Sequence, residues 1–274
     1  MARKTNKELA FLHDLFVAAD WGERFSELID EHVVLPKKGR ALYVAAGTGG
    51  HVIALQERTG KNLRFLAVDE SEENLELARA KAKAAEKDPV EFSREKVDHF
   101  TLADDQFNLV VGNGSLVHSE RIPEMFAEMV RVGAPGAAVA LVLPTFSSFG
   151  EFFSIYWEAL HNLGLLDREE DVESLITVLP SVSKLEEIGE QAGLEDITGT
   201  TKAEEFNYES VETFFSSPLI SDFLLPIWFE TLPPASHQPV IDEMLRIVNE
   251  ESRGLAFAVT AKATIMTGKK ALSW

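Results

Sequence analysis

Short apolar runs without alternation, each followed by a segment of helical period, recur along the first half of the chain. "ALYVAAG" (41–47) is apolar at successive positions, as expected of a strand covered on both faces in a parallel sheet, and 49–58 reads as its helix. "LRFLAVD" (63–69) reads as a second strand. Ser71, with Asn74 three residues on and acids in the first turn, reads as the N-cap of the helix "LELARAKAKAA". "VEFS" (90–93), "FNLVVG" (107–112) and "AAVALVLP" (137–144) supply three more strands, the last preceded by a helix over 120–132 and the turn "GAPG". This alternation implies right-handed crossovers and a parallel α/β sheet wound with helices on both faces.

The ends of the chain read differently. Residues 6–34 place Leu9, Leu12, Phe16, Ala19, Phe25, Leu28 and Ile29 at mostly helical spacing, with Asp20-Trp21-Gly22 as a break between two helices. They predict a helical N-terminal cap over 1–38. Beyond Pro144 an aromatic-rich helical segment begins, with Phe146, Phe149, Phe152, Phe153, Tyr156 and Trp157 within twelve residues. Strand and helix resume over 181–202, a second irregular stretch carries Phe214, Phe215, Phe223, Trp228 and Phe229, and 255–268 reads as a long closing strand. The expected organisation is one domain over 1–274, with its core at 41–144 and insertions at 145–180 and 209–252.

Composition narrows the chemistry. A chain of 274 residues with 45% hydrophobic content buries a large core unaided, and zero cysteines exclude a disulfide framework, thiolate metal sites and a Cys nucleophile. A net charge of -19 opposes attachment to phosphate backbones, so no nucleic acid partner is expected. Residues 167–196 carry ten acids against two bases, which reads as a solvated helix face. No window is long and apolar enough to span a bilayer and no signal peptide follows Arg3, Lys4 and Lys7, so the expected location is the cytoplasm. The histidines have no ligand spacing, and no metal site is expected.

The candidate chemistry lies in the glycine turn. A dinucleotide fingerprint wants G-x-G-x-x-G with a small third residue, whereas Gly47-Thr48-Gly49 is followed by Gly50, His51 and the β-branched Val52. The alternative ligand is a nucleoside with a short amino-acid tail: the turn's N–H groups and the helix N-terminus face the carboxylate, and Asp69, at the tip of the second strand, takes the ribose hydroxyls. Both cofactors carry a ribose diol, so Asp69 alone leaves the choice open.

In order and spacing, "LYVAAGTGG", "AVDESEENLELAR", "FNLVVGNGSLVH", "MVRVGAPGAAVALVLP" and "LEEIGEQAGLEDI" resemble five motifs of the class I S-adenosylmethionine-dependent methyltransferases, especially the small-molecule enzymes that include quinone-biosynthesis methyltransferases. The resemblance runs over 41–144 and returns at 181–202. It implies a Rossmann-like, doubly wound, seven-stranded sheet whose last strand is antiparallel and inserted beside the sixth, with insertions that cover the active site as a lid. It implies S-adenosyl-L-methionine as the cofactor, contacted at Ala45, Ala46, Gly47, Thr48, Gly49, Asp69 and Glu70, and near the adenine at Lys96 and Val97. The chain departs from the family where an acid and a glycine usually open the turn, having Tyr43 and Ala45, and where an Asp usually follows the third strand, having Lys96.

Asn113, Gly114 and Ser115 follow the fourth strand at the carboxyl edge, where open α/β sheets bind ligands, and are expected to line the methyl-donor pocket. His118 is the candidate general base. Phe146, Phe149, Phe153 and Trp157, with Trp21 from the cap, are the candidate lid over an apolar substrate. The expected activity is methyl transfer to an O, N or C nucleophile of a small apolar or aromatic molecule, with a homodimer as the only protein partner considered. Two rivals are a nicotinamide-dependent oxidoreductase, which wants a proton relay that Tyr156 lacks, and a non-catalytic methyltransferase-like binding module, suggested by Tyr43, Ala45 and Lys96.

Overall fold

The computed structural model describes residues 4–85, 90–166, 179–252 and 256–272. Its strands are β1 (Gly39–Val44), β2 (Leu63–Asp69), β3 (Glu91–Arg94), β4 (Phe107–Asn113), β5 (Gly133–Pro144), β6 (Leu194–Tyr208) and β7 (Phe257–Lys270). Its α-helices are α1 (Asn6–Leu12), α2 (Glu23–His32), α3 (Gly50–Thr59), α4 (Glu72–Ala84), α5 (Ile122–Val132), α6 (Gly150–Asn162), α7 (Val182–Gln191), α8 (Val211–Ser216), α9 (Leu225–Trp228) and α10 (Pro234–Ser252). The chain divides into two compact units: Met1–Leu143, Val182–Thr201 and Thr264–Trp274 form the first, and Pro144–Ser181 with Lys202–Ala263 the second.

The first unit carries a mixed seven-stranded sheet in the order β3-β2-β1-β4-β5-β7-β6, with the last strand antiparallel and set between β5 and β6. β1 pairs parallel with β2 on one side and with β4 on the other, Ala41 lying opposite Phe65 and Leu109. The winding therefore reverses at β1, and such a switch point opens a crevice beyond the carboxyl ends of the two diverging strands. Ala41, Leu42, Tyr43 and Val44 are all buried, which explains the missing alternation in their sequence.

The core of this unit packs Ile122, Met125, Phe126, Met129 and Val130 of α5 against Leu42, Val110, Val139 and Leu141 of the sheet, with Leu185 and Ile188 of α7 and Met266 of β7. Full burial of a side chain such as Phe126 contributes about 1.5–3 kcal/mol. α5 lies close on β4 because Gly112 has no side chain: a Cβ there would stand 2.8 Å from Met129 Sδ.

Two local expectations are corrected. The break at Asp20-Trp21-Gly22 does not form: α1 runs through a π-helical stretch, His13–Gly22, straight into α2. Gly22 keeps right-handed values (φ -61, ψ -41), and Trp21 is drawn fully into the core, so burial overrides the turn propensity. "GAPG" is not a turn before β5 but a bulge inside it. The pairing shifts from Phe107 opposite Gly133 to Leu109 opposite Ala138, and Gly136 absorbs the extra residues at φ 78.

The second unit has an aromatic core of its own. Phe152 lies 4.2 Å from Trp228 between ring centroids and stacks on Tyr156 at 5.6 Å, while Phe149 and Phe153 flank the same indole at 5.1 and 5.6 Å. Phe214 joins from α8 at 6.1 Å from Phe152. Residues 167–178 of the acidic run, with five of its ten acids, lie outside the described residues.

Candidate cofactor site

Beyond Val44 the chain turns through Ala45, Ala46, Gly47 and Thr48 into Gly49, which caps α3 in a left-handed conformation. Gly47 (φ 54) and Gly49 (φ 78) sit where glycine carries no penalty, but Ala45 (φ 54) occupies the same region at about 1–2 kcal/mol of strain. α4 closes on the turn: a Cβ on Gly49 would lie 2.8 Å from Ala78 Cβ and 3.3 Å from Phe92 Cε1.

The turn's amides are partly spoken for. Ala46 N–H donates to the Val68 carbonyl at 3.0 Å, extending the β1–β2 ladder, and Gly49 N–H donates to the Ala46 carbonyl at 3.0 Å. Gly47 N–H donates to Asp69 Oδ2 at 2.8 Å. Oδ1 of the same carboxylate accepts from Ser71 N–H at 3.0 Å and Asn74 Nδ2 at 3.2 Å. Ser71 caps α4 as expected, its hydroxyl accepting from Asn74 N–H at 3.1 Å. Asp69 thus ties the turn to the start of α4 and keeps about one of its four acceptor positions for a further donor.

The N-terminal cap reaches the turn directly, which the sequence did not reveal. A Cβ on Gly47 would meet His13 Cε1 at 2.7 Å, so the imidazole covers the glycine. Thr48 is buried and donates its hydroxyl to Asp14 Oδ1 at 2.5 Å, and Lys81 Nζ reaches Asp14 at 2.5 Å and Thr48 Oγ1 at 3.1 Å. Burial pushes the Asp14 carboxyl up, but the hydrogen bonds from Lys81 and Thr48 outweigh it and hold the group below the ordinary range. Nothing in the local pattern around His13 and Asp14 points to Thr48, 34 positions from Asp14.

On the other side of Asp69, Glu70 accepts from Val97 N–H at 3.1 Å and is gripped at both oxygens by Arg121, with Nη1 3.0 Å from Oε2 and Nη2 on Oε1. Arg121 Nε donates to Asp98 Oδ2 at 2.7 Å. The Arg121 guanidinium holds the Glu70 carboxyl below the usual range in spite of burial. Lys96 is exposed and Val97 buried, while the buried Glu95 turns back to accept from Thr101 N–H at 2.9 Å and its hydroxyl at 2.7 Å.

At the end of β4, Asn113 Oδ1 accepts from Ser115 N–H at 3.1 Å, Gly114 N–H donates to the Val142 carbonyl at 2.7 Å, and Trp21 Nε1 donates to Ser115 Oγ at 3.1 Å. Trp21 therefore joins this loop from within the core. Tyr43 takes the place of the usual acid: its phenol lies 3.0 Å from His51 Nδ1, and His51 Nε2 lies 3.0 Å from Asp30 Oδ1, which Arg58 also holds. Burial pushes the Tyr43 hydroxyl far up, and burial holds His51 below the ordinary imidazole range against the pull of Asp30, so both are neutral near pH 7.

The remaining candidates are dispersed. His118 is half-buried and caps the short turn Ser119–Arg121, its Nδ1 accepting from Glu120 N–H at 3.4 Å. Phe149 and Phe153 are buried in the second unit, whereas Phe146 and Trp157 are 46% and 40% exposed there. A cavity of about 500 Å³ lies beside α1 and α4, lined by Lys7, Phe11, Leu12, Glu76 and Leu77. Among the described residues no group of three or more His, Asp or Glu side chains is placed to hold a metal, and no helix is long and apolar enough to cross a membrane.

The family model of the methyltransferase domain matches residues 41–136, the span from β1 to the bulge of β5. The matched span carries a methyltransferase domain, with S-adenosylmethionine as its cofactor. Among its relatives is a demethylmenaquinone methyltransferase of Shouchella clausii, 25% identical over 167 residues that make up 58% of this chain and 71% of that one. The fold is shared with the YcgJ protein of Bacillus subtilis, at a TM-score of 0.59 and 15% identity over 92% of this chain and 100% of the other. It is also shared with phosphoethanolamine N-methyltransferase 2 of Haemonchus contortus in complex with S-adenosyl-L-methionine, at a TM-score of 0.55 and 13% identity over 91% of this chain and 52% of the other.

Proposed function

We propose that the chain transfers the methyl group to an oxygen, nitrogen or carbon nucleophile of a small apolar or aromatic acceptor, with the donor gripped between the amino end of α3 and Asp69. The single observation that carries the reading is the Gly47–Asp69 hydrogen bond, which sets the turn and the acid side by side at the mouth of the switch-point crevice. A ribose hydroxyl takes the remaining acceptor position of Asp69, and the carboxylate of the amino-acid tail faces the first amides of α3, where the helix dipole favours negative charge. Asn113 and Gly114 line the methyl end, and the exposed Lys96 is left out of the grip.

S-adenosylmethionine, when bound, supplies a methyl group already activated by its sulfonium charge, so the residues of the chain are left with alignment and water exclusion. Alignment of this kind is worth up to about 7–11 kcal/mol. An apolar acceptor is supported by the relative named for demethylmenaquinone.

Titration calorimetry with S-adenosylhomocysteine and with NAD tests the grip: the first is expected to bind and the second not. Transfer of labelled methyl to demethylated quinones and to hydrophilic amines then tests the acceptor class. Binding of NAD alone, or turnover confined to the amines, overturns the reading.

A further inference from the structure

One helix of the first unit turns large apolar side chains to solvent. From Asn6 to His32 the backbone is helical without interruption, and along it the exposed positions return at Lys7, Phe11, Leu15, Ala19, Glu23 and Glu27. An α-turn holds about 3.6 residues and a π-turn more, so a helix that mixes them averages about four and keeps these positions in one straight stripe. In the middle of the stripe Phe11, Leu15 and Phe16 are 56%, 49% and 54% exposed. The cavity beside α1 and α4 widens the apolar area, with Leu12 and Leu77 in its wall. Contiguous apolar surface of this kind marks a docking face.

We infer that this stripe is a contact between two copies of the chain, paired antiparallel about a two-fold axis at Leu15. The charges along it select a second copy as the occupant. Lys4 and Lys7 lie toward the amino end, whereas Asp20, Glu23 and Glu27 lie toward the carboxyl end, with Arg24 on Asp20 at 2.7 Å. A two-fold axis maps each end onto the other, so Lys7 of one copy meets Glu23 of the other twice over, and Phe11 packs on the small Ala19. Glu73 and Glu76 of α4 line the same cavity as Lys7, and Arg24 across the axis is their counterpart. An anionic bilayer fits poorly, because the chain carries a net charge of -19 and the carboxyl half of the stripe is acidic. Size sets the strength. A helical face about 40 Å long and 10 Å wide, with about 200 Å² from α4, gives about 600 Å² per copy. The total of about 1,200 Å² is at the low end of specific interfaces, so the dimer is weak, with Kd on the order of 10 μM.

Sedimentation equilibrium of the full chain over about 1–200 μM tests the pairing, and the wild type is expected to exchange between monomer and dimer across that range. Leu15→Asp and Phe16→Asp alter solvent-exposed positions, so their Tm is expected to stay at the wild-type value while dimerisation weakens at least about tenfold. Lys7→Glu alone and Glu23→Lys alone are each expected to weaken it about three- to tenfold, and the double variant to return within about threefold of wild type. That rescue compares folded chains with one another and does not depend on the apolar variants. A wild type that stays monomeric at 200 μM overturns the inference. So does a dimer indifferent to Leu15 and Phe16, which uses another surface, or a double variant no better than the singles. Flotation with phosphatidylcholine vesicles covers the remaining occupant: vesicle binding by a monomeric wild type, lost in Phe16→Asp, assigns the stripe to a bilayer and overturns the pairing.

Discussion

Replacing Gly49 by alanine is expected to destabilise the first unit severely, and the structure sets the size of the effect. The left-handed φ of 78° adds about 1–2 kcal/mol for any residue with a Cβ. The new methyl also stands 2.8 Å from Ala78 Cβ, which no side-chain rotation can withdraw, and overpacking of this kind costs about 1–3 kcal/mol. The smaller entropy of the unfolded alanine chain returns only about 0.4–1 kcal/mol. The net loss is about 2–4 kcal/mol, or a fall in Tm on the order of 5–15 °C for a chain of this size.

Ala45→Gly is the control in the same turn. It relieves about 1–2 kcal/mol of left-handed strain at φ 54, against about 0.5–1 kcal/mol of added chain entropy and a fraction of a kcal/mol of lost burial, so its effect is between neutral and slightly stabilising. Thermal melting followed by circular dichroism measures both, and hydrogen exchange at the β1 and α3 amides localises the change. If Gly49→Ala melts within a degree or two of wild type, or Ala45→Gly proves the worse of the pair, the turn does not hold the conformation described and the argument from φ and packing fails.

Asp69→Ala removes the acceptor of Gly47 N–H, Ser71 N–H and Asn74, so a loss of about 2–4 kcal/mol in urea denaturation is expected together with a fall of at least tenfold in S-adenosylhomocysteine affinity; unchanged affinity would remove Asp69 from the grip. Burial holds His13 and His51 below the ordinary imidazole range, so the unfolded chain takes up their protons first as pH falls. Stability is therefore full above about pH 6.5 and declines below it, by at most about 1.4 kcal/mol per pH unit for each group; a Tm equal at pH 7.5 and pH 5.5 contradicts this. His118→Gln keeps a side-chain acceptor for the capped turn, and methyl transfer within about threefold of wild type is expected unless the imidazole moves a proton. A 100-fold fall in kcat without a change in Tm would make it the base.

The elements were legible because their signals are local. Apolar runs such as 63–69 become strands wherever a sheet covers both faces, and Ser71 with Asn74 specifies an N-cap within four residues. The π-helical passage through Trp21 was not legible, since it depends on a pocket formed by Phe25 and on Ser115 of a distant loop. The bulge at "GAPG" was hidden for the same reason: a turn signal and a bulge signal use the same residues, and only pairing with Phe107 and Leu109 decides between them. Of the proposed site, the glycine turn and Asp69 stood out by spacing, whereas His13, Asp14 and Arg121 did not.

The frame of this site is set by backbone geometry, whereas its charged and polar side chains are joined from elements far apart in sequence. A strand, a left-handed turn and a helix N-terminus depend on few residue identities, so Ala45 is accommodated at about 1–2 kcal/mol of strain. Charge and hydrogen-bonding groups have no such constraint and can be supplied from any neighbouring element within reach. The Tyr43 phenol, kept neutral by burial, stands where an acid is usual and is tied through His51 to Asp30, 21 positions from that histidine. Glu70 is gripped at both oxygens by Arg121, 51 positions away, while Lys96 is exposed. A reading by local windows finds such a site by its frame and misses these pairs, because they are joined in space and not in sequence.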